Sequence, residues 1–178
     1  MKRLITCAGI IALSCVLTTA ADAPATFKVS EFSFKRPASW EWVETTSAMR
    51  KAQLKVNDAD KKSSAEVVFF HFGPGNGGGV QPNVDRWFGQ FEGPRDKIGA
   101  KSEEAKIGKH KVTFVSAEGT YLSGMPGGPR TPQPNHALRG AIVESDAEGH
   151  VFVKMTGPAA LVKSANDDFR KMIESALK

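Results

Sequence analysis

Residues 66–91 read EVVFFHFGPGNGGGVQPNVDRWFGQF, and the architecture turns on this segment. A nearly unbroken apolar run, Val67 to Phe72 interrupted by His71, meets five glycines in seven residues (73–79). An amphipathic segment then begins. Gly73, Gly75 and Gly78 match G-x-G-x-x-G. A dinucleotide-binding loop with that pattern leads from a strand into a helix and on to a parallel strand, with an acidic residue about 20 positions further along. Here the chain continues EGPRDKIGAKSEEAK, polar and broken, so the third part is missing. Pro74 also removes a backbone N–H that a phosphate cradle would use. No Gly-Lys-Ser/Thr follows. The glycines therefore read as a flexible connector. An anion at the following helix start is physically reasonable, because free N–H groups gather there.

Working outward, Val84, Trp87, Phe88 and Phe91 recur at i, i+3, i+4 and i+7. They predict a helix with one apolar stripe, Pro82 in its first turn, Asp85 near its positive end and a stop near Glu92, before Gly93–Pro94. Upstream, RKAQLKV alternates, with Ala52, Leu54 and Val56 turned inward and Lys51, Gln53 and Lys55 turned to water. The apolar run after it suits a strand covered on both faces. FKVSEFSFKRPASWEWVE predicts two short strands joined at 35–39. Downstream, a hairpin turns at Gly108. Residues 123–136, with four prolines and three glycines, interrupt the strands, and two further strands meet near Asp146–Gly149. Leu161, Ala165, Phe169, Met172, Ile173 and Leu177 predict a closing helix that starts at Pro158 and docks on the sheet. Hairpin-length connections favour antiparallel pairing. The expectation is one α+β domain over residues 27–178, mainly antiparallel sheet covered by helices, with 21–26 as a flexible lead-in.

The N-terminus begins MKRLITCAGIIALSCVLTTAADA. Lys2 and Arg3 precede an uncharged, mostly apolar run from Leu4 to Leu17, and small residues follow. That order predicts a secretory signal over residues 1–20, cut after Ala20. The run is shorter than the roughly 20 residues of a membrane span. Cys7 and Cys15 both fall inside it, so the exported chain would hold no cysteine. It would rely on an ordinary core rather than disulfides, which a chain near 150 residues can build. Cys15 also lies in a poor lipoprotein signal, IALSC, and a membrane association is expected only if Cys15 is lipidated.

The formal charge is +5. Removing Lys2 and Arg3 leaves 22 basic against 19 acidic residues, a mild +3, spread without a long block of one sign. Nucleic-acid binding normally shows a concentrated basic face, so no nucleic acid is expected as a partner.

Catalytic signals are sparse. No G-x-S-x-G occurs, and His71, His110, His136 and His150 lie on different elements without zinc-binding spacing. Asp58-x-Asp60 is followed by Lys61 and Lys62, which repel a cation. No cofactor and no metal is expected. The candidates for contact with a ligand or partner are Gly75, Asn76 and Gly77 in the glycine loop, Trp40, Arg86 beside Trp87, and Arg130, the charged residue of loop 123–136. Long loops often carry function.

The segments FSFKRPASWEW, AEVVFFHFGPGNGGGVQPNVDRWFGQF, GTYLSGMPGGP and VKMTGP resemble an uncharacterised family of small exported bacterial proteins. The most specific part of that resemblance is the glycine loop running into NVDRW. The order of elements is similar to the PsbP-like fold, an α-β-α sandwich shared by extrinsic photosystem subunits and a Ran-binding protein. The resemblance implies such a sandwich and a binding or assembly role rather than an enzyme. It transfers no catalytic or metal residue. The expected function is an exported, non-catalytic binding or assembly module in the periplasm or outside the cell. Its partner would be a protein or small molecule of the cell envelope. Two alternatives stay open: an exported hydrolase whose site assembles only in three dimensions, and a lipid-anchored structural protein.

Overall fold

The structure, a computed structural model, describes residues 23–124 and 128–178. The expected signal over 1–20, with Cys7, Cys15 and the cut after Ala20, lies outside the described residues, as do positions 125–127 of the Pro/Gly-rich stretch.

Nine strands and three helices follow one another among the described residues: β1 (Thr26–Val29), β2 (Phe32–Lys35), β3 (Glu41–Trp42), β4 (Arg50–Asn57), β5 (Ser64–His71), α1 (Val80–Phe88), β6 (Lys101–Ile107), β7 (His110–Ser123), β8 (Thr131–Val143), β9 (Val151–Pro158), α2 (Ala159–Ser164) and α3 (Asn166–Ser175). Strands β3 to β9 form one antiparallel sheet in the order β3-β4-β5-β9-β8-β7-β6. Each turn between sequential strands is short enough for hairpin pairing. The one long insertion, α1, lies between β5 and β6, which sit on opposite sides of the β9-β8-β7 group.

The sheet separates two apolar layers. On one face, Ala65, Val67 and Phe69 of β5 and Val151, Val153 and Met155 of β9 meet Val162, Phe169, Met172 and Ile173 of the C-terminal helices. The β1–β2 hairpin closes this layer: Phe27, Phe34 and Phe69 pack with ring centroids 5.0–5.7 Å apart. On the other face, Val84, Trp87 and Phe88 of α1 join Phe91, Ile98, Val115, Leu138, Ile142 and Phe152. The α-β-α layering is therefore present. Trp87 lies so close over β8 that a Cβ on Gly140 would collide with its ring. A side chain there would push α1 off the sheet.

Several local expectations are corrected. The segment 27–44 forms three strands, not two. The first turn falls at Ser30–Glu31, where Ser30 takes a positive φ of 54°, because Phe27, Val29, Phe32 and Phe34 all point into the core. Helix α1 ends at Phe88 and is capped at Gly89. Phe91 lies beyond it, bridging to Tyr121, and Asp85 is not in the first turn. The closing helix is two helices, with Ala165 between them. Half of loop 123–136 is strand: β7 runs to Ser123 and β8 starts at Thr131, with Leu122 opposite Pro132. Beyond His136↔Pro158 β8 has no β9 neighbour, so Pro132 and Pro134 forfeit no ladder bond on that side. The described end of the lead-in is fastened: Arg36 donates to the carbonyls of Pro24 (2.9 Å) and Ala23 (3.1 Å).

Candidate functional site

The two faces of the sheet are covered unequally. The nine-residue α1 reaches over β7, β8 and part of β9, but not over the cleft-side ends of β4 and β5. A cleft of about 790 Å³ opens there. One bank is α1. The other is formed by Met49 and the start of β4, and the far end by Ser123 and Gly124 at the end of β7.

Two sheet irregularities aim side chains into it. The β4–β5 register slips between Arg50 and Ala52. Arg50 therefore stands with Gln53 and Glu66 rather than with Ala52 in the core. Its Nη1 donates to Gln53 Oε1 at 2.8 Å and to Glu66 Oε1 at 2.6 Å. The β7–β8 register slips between Gly119 and Tyr121. There β8 carries one extra residue, and Asn135 adopts a left-handed φ of 54°. Bulges of this kind re-aim side chains next to functional sites. The segment after α1 then locks onto the arm, with the Leu122 amide donating to the Gln90 carbonyl at 2.7 Å and the Glu92 amide to the Thr120 carbonyl at 3.0 Å.

The cleft is apolar on one side and polar on its floor. Phe70 and Phe72 stack with centroids 6.4 Å apart, and Phe72 leans on Phe152 at 6.1 Å. Among the described residues, Phe72 and Met49 are the large apolar side chains most open to solvent, 39% and 61% exposed. On the floor, Lys154 of β9 donates through Nζ to Gln90 Oε1 at 3.2 Å and to the Tyr121 hydroxyl at 3.3 Å. Burial pushes its ammonium down to about 8; Glu66 pulls it back up, and Arg50 and Arg86 push it further down. Burial, with Glu66 nearby, raises the Tyr121 phenol above its usual value.

The expected site residues are distributed unevenly around this cleft. Arg86 lines it, and its Nη2 is held by Oδ1 of Asn83. Asn83 is 1% exposed; its Nδ2 donates to the carbonyls of Gly77 (2.9 Å) and Gly79 (2.8 Å). Gly77, at φ 84°, backs the aromatic wall: a Cβ there would meet Phe72 at 2.8 Å and Phe152 at 2.9 Å. Gly75 and Asn76 form the exposed turn of the loop, where Asn76 bonds only to Gly73 and Pro74. Arg130 does not line the cleft and donates to the Gly89 carbonyl, just past α1, at 3.4 Å. Trp40 is 2% exposed, in the core on the opposite face, because the chain folds back after β2. No surface on the cleft side remains to it.

Lys154, Tyr121, Gln90, Glu66 and Arg50 were not singled out from the sequence. Lys154 interrupts the apolar run VFVKM, the one usable signal. The other four depend on register and long-range pairing.

The histidines stay apart. His71 Nε2 donates to the Glu148 carbonyl at 2.7 Å, His136 Nδ1 to the Pro134 carbonyl at 3.0 Å, and His110 packs edge-on to Phe32. His150 meets Ser145 and Glu31 at one turn. There the Ser145 hydroxyl donates to Glu31 (2.5 Å), while His150 Nδ1 accepts the Ser145 amide (3.4 Å). The imidazole does not reach the hydroxyl, so this geometry fastens a turn. A second hollow of about 510 Å³ lies where β6–β8 meet α3. Both its arginines are engaged: Arg170 pairs with Glu103 at 2.7 Å and covers Phe114, and Arg139 donates to Asn166.

No family model matches the chain, and no curated protein matches it. Among solved structures, the chain is similar to cyanobacterial PsbP (CyanoP) from Synechocystis sp. PCC 6803, seen in solution. The two are 12% identical, with 90% of this chain and 96% of that chain covered and a TM-score of 0.47. Among the described residues, no helix is long and apolar enough to cross a membrane.

Proposed function

We propose that the protein is an exported, non-catalytic binding module that holds a small ligand, or one side group of an envelope partner, in the cleft between α1 and the β7–β8 arm. One observation carries this reading: the sheet leaves a hollow of about 790 Å³ with the exposed Phe72 and the half-buried Phe70 on one wall and a half-buried, hydrogen-bonded lysine on its floor. Small-molecule sites have this size and this mixture of apolar lining with a few fixed polar groups. A face selected only for stability would have been closed across its width, as its opposite is by α2, α3 and the β1–β2 hairpin.

A thermal-shift screen of acidic, neutral and basic aromatic fragments tests the reading. A fragment at 100 times its dissociation constant adds about 2.7 kcal/mol and raises Tm by roughly 5–10 °C in a domain of this size. Thr156→Trp, which fills the cleft floor, is expected to abolish those shifts. Fragments that stabilise both forms equally would place binding elsewhere. Turnover of ester or amide substrates would overturn the non-catalytic part.

A further inference from the structure

Three cationic side chains from three elements line the cleft: Arg50 of β4, Arg86 of α1 and Lys154 of β9. A single carboxylate, Glu66 of β5, faces them. It is already engaged by Arg50 at 2.6 Å and by Gln53 Nε2 at 2.9 Å. The other elements packed around the floor bring Gln90, Tyr121, Gln133 and His136, and no carboxylate. Among the described residues, neither Arg86 nor Lys154 joins an ion pair.

That imbalance has a physical meaning. An ammonium taken out of water normally receives a counter-charge, because desolvation otherwise costs several kcal/mol. Lys154 receives two neutral oxygens instead, and keeps a third donor. Arg86 is held in place by a buried asparagine whose other two bonds tie down the loop backing the aromatic wall. Fixed cations with spare donors, beside the exposed ring of Phe72, form a place for a charge that arrives from outside. Resting on the cleft being a binding site, we propose that its ligand is a small organic anion. A carboxylate or phosphate would contact Lys154 and Arg86, and an apolar body of one or two rings would lie against Phe72 and Phe70.

Four probes sharing one body separate the charge from the hydrophobic contact: 2-naphthoate, 2-naphthyl phosphate, 2-naphthol and 2-naphthylmethylamine. They are titrated calorimetrically into the full chain at pH 7 and fixed ionic strength. Both anions should bind at least about 10-fold tighter than the naphthol, as charge-assisted hydrogen bonds require, and the amine should bind weakest. Lys154→Met and Arg86→Gln should each reduce anion affinity about 10-fold while leaving naphthol within about twofold. Arg86 is exposed, so its variant remains informative even if the Lys154 variant folds poorly. Between pH 7 and 9.5, naphthoate affinity should fall as Lys154 loses its proton. The groups facing it, Arg50, Arg86, Glu66 and Tyr121, should leave the profile of Lys154→Met flat. Equal binding of naphthol and naphthoate, or preference for the amine, would overturn the anion while the cleft remains a binding site. Failure of all four probes would also overturn the anion; the fragment screen with Thr156→Trp decides the cleft separately.

Discussion

The same strands show two different solutions on their two faces. Toward α2, α3 and the β1–β2 hairpin, alternate residues of β4, β5, β8 and β9 are apolar and buried, except for Arg139 of β8, which reaches Asn166 at the start of α3, and His71 at the end of β5. Toward α1, the alternation begins apolar on β7 and β8 and turns polar across β9, β5 and β4: Leu138 and Phe152 give way to Lys154, Glu66, Gln53 and Arg50. The helix covers the apolar part and stops. Sheets that carry one layer on each face need a cover as wide as their apolar stripe. Where the stripe narrows, a cleft is left. The contrast separates a face that holds the fold from a face that holds the fold only in part.

The sharpest way to break this contrast is to remove one ring from each face. Phe69, fully buried among Phe27 and Phe34, should cost about 3–5 kcal/mol on replacement by alanine, read from denaturant unfolding. Phe72→Ala should cost under about 1 kcal/mol, since Phe72 is already partly in water. Equal losses would mean that the cleft wall belongs to the core.

Lys154 sharpens the contrast from the electrostatic side. In the unfolded chain a lysine titrates near ~10.4; in the fold, burial brings Lys154 down to about 8. Between those values the unfolded chain binds the proton more tightly, so stability rises with pH across that window. Below about pH 8 the whole cost of holding the charge is present. Lys154→Met should therefore stabilise the protein at pH 7 by about 2–3 kcal/mol. The gain should shrink above pH 8 and vanish near ~10.5. Chemical denaturation of both proteins across that range checks it. A stability that is lost on substitution would show the lysine to be part of the scaffold.

The smallest effect concerns Asn83, which belongs to both aspects of the α1 face. Asn83→Ala removes the donors that hold Gly77 and Gly79 and the acceptor that steadies Arg86. It should destabilise by about 1–3 kcal/mol. It should also weaken 2-naphthoate more than 2-naphthol, in the same calorimetric comparison. An unchanged ratio would detach the loop from the placement of Arg86.

Much of this was legible in the linear chain. Ala52, Leu54 and Val56 are buried as their alternation requires, and Gly108 turns a hairpin at a φ of 60°. Phe169, Met172 and Ile173 dock where their spacing puts them. The glycine loop reads as a connector because no parallel strand comes after its helix: the next strand, β6, pairs antiparallel with β7. Trp40 shows the opposite case. Its side chain is as apolar as that of Trp87 and both are buried, yet Trp40 lies in one layer and Trp87 in the other, beside the cleft, because neighbouring residues in sequence do not say which layer the chain will cross.

Periodicity and turn chemistry, which act over a few residues, determined most of the elements, their antiparallel pairing and the docking of helices on the sheet. The cleft and its charges were decided only by the tertiary structure. They arise from two register slips, from a helix shorter than the face it covers, and from side chains of β4, β5, α1, β7 and β9 that lie far apart along the chain. A one-residue slip turns a side chain to the other face of a sheet, and that event leaves no local mark in the order of the amino acids.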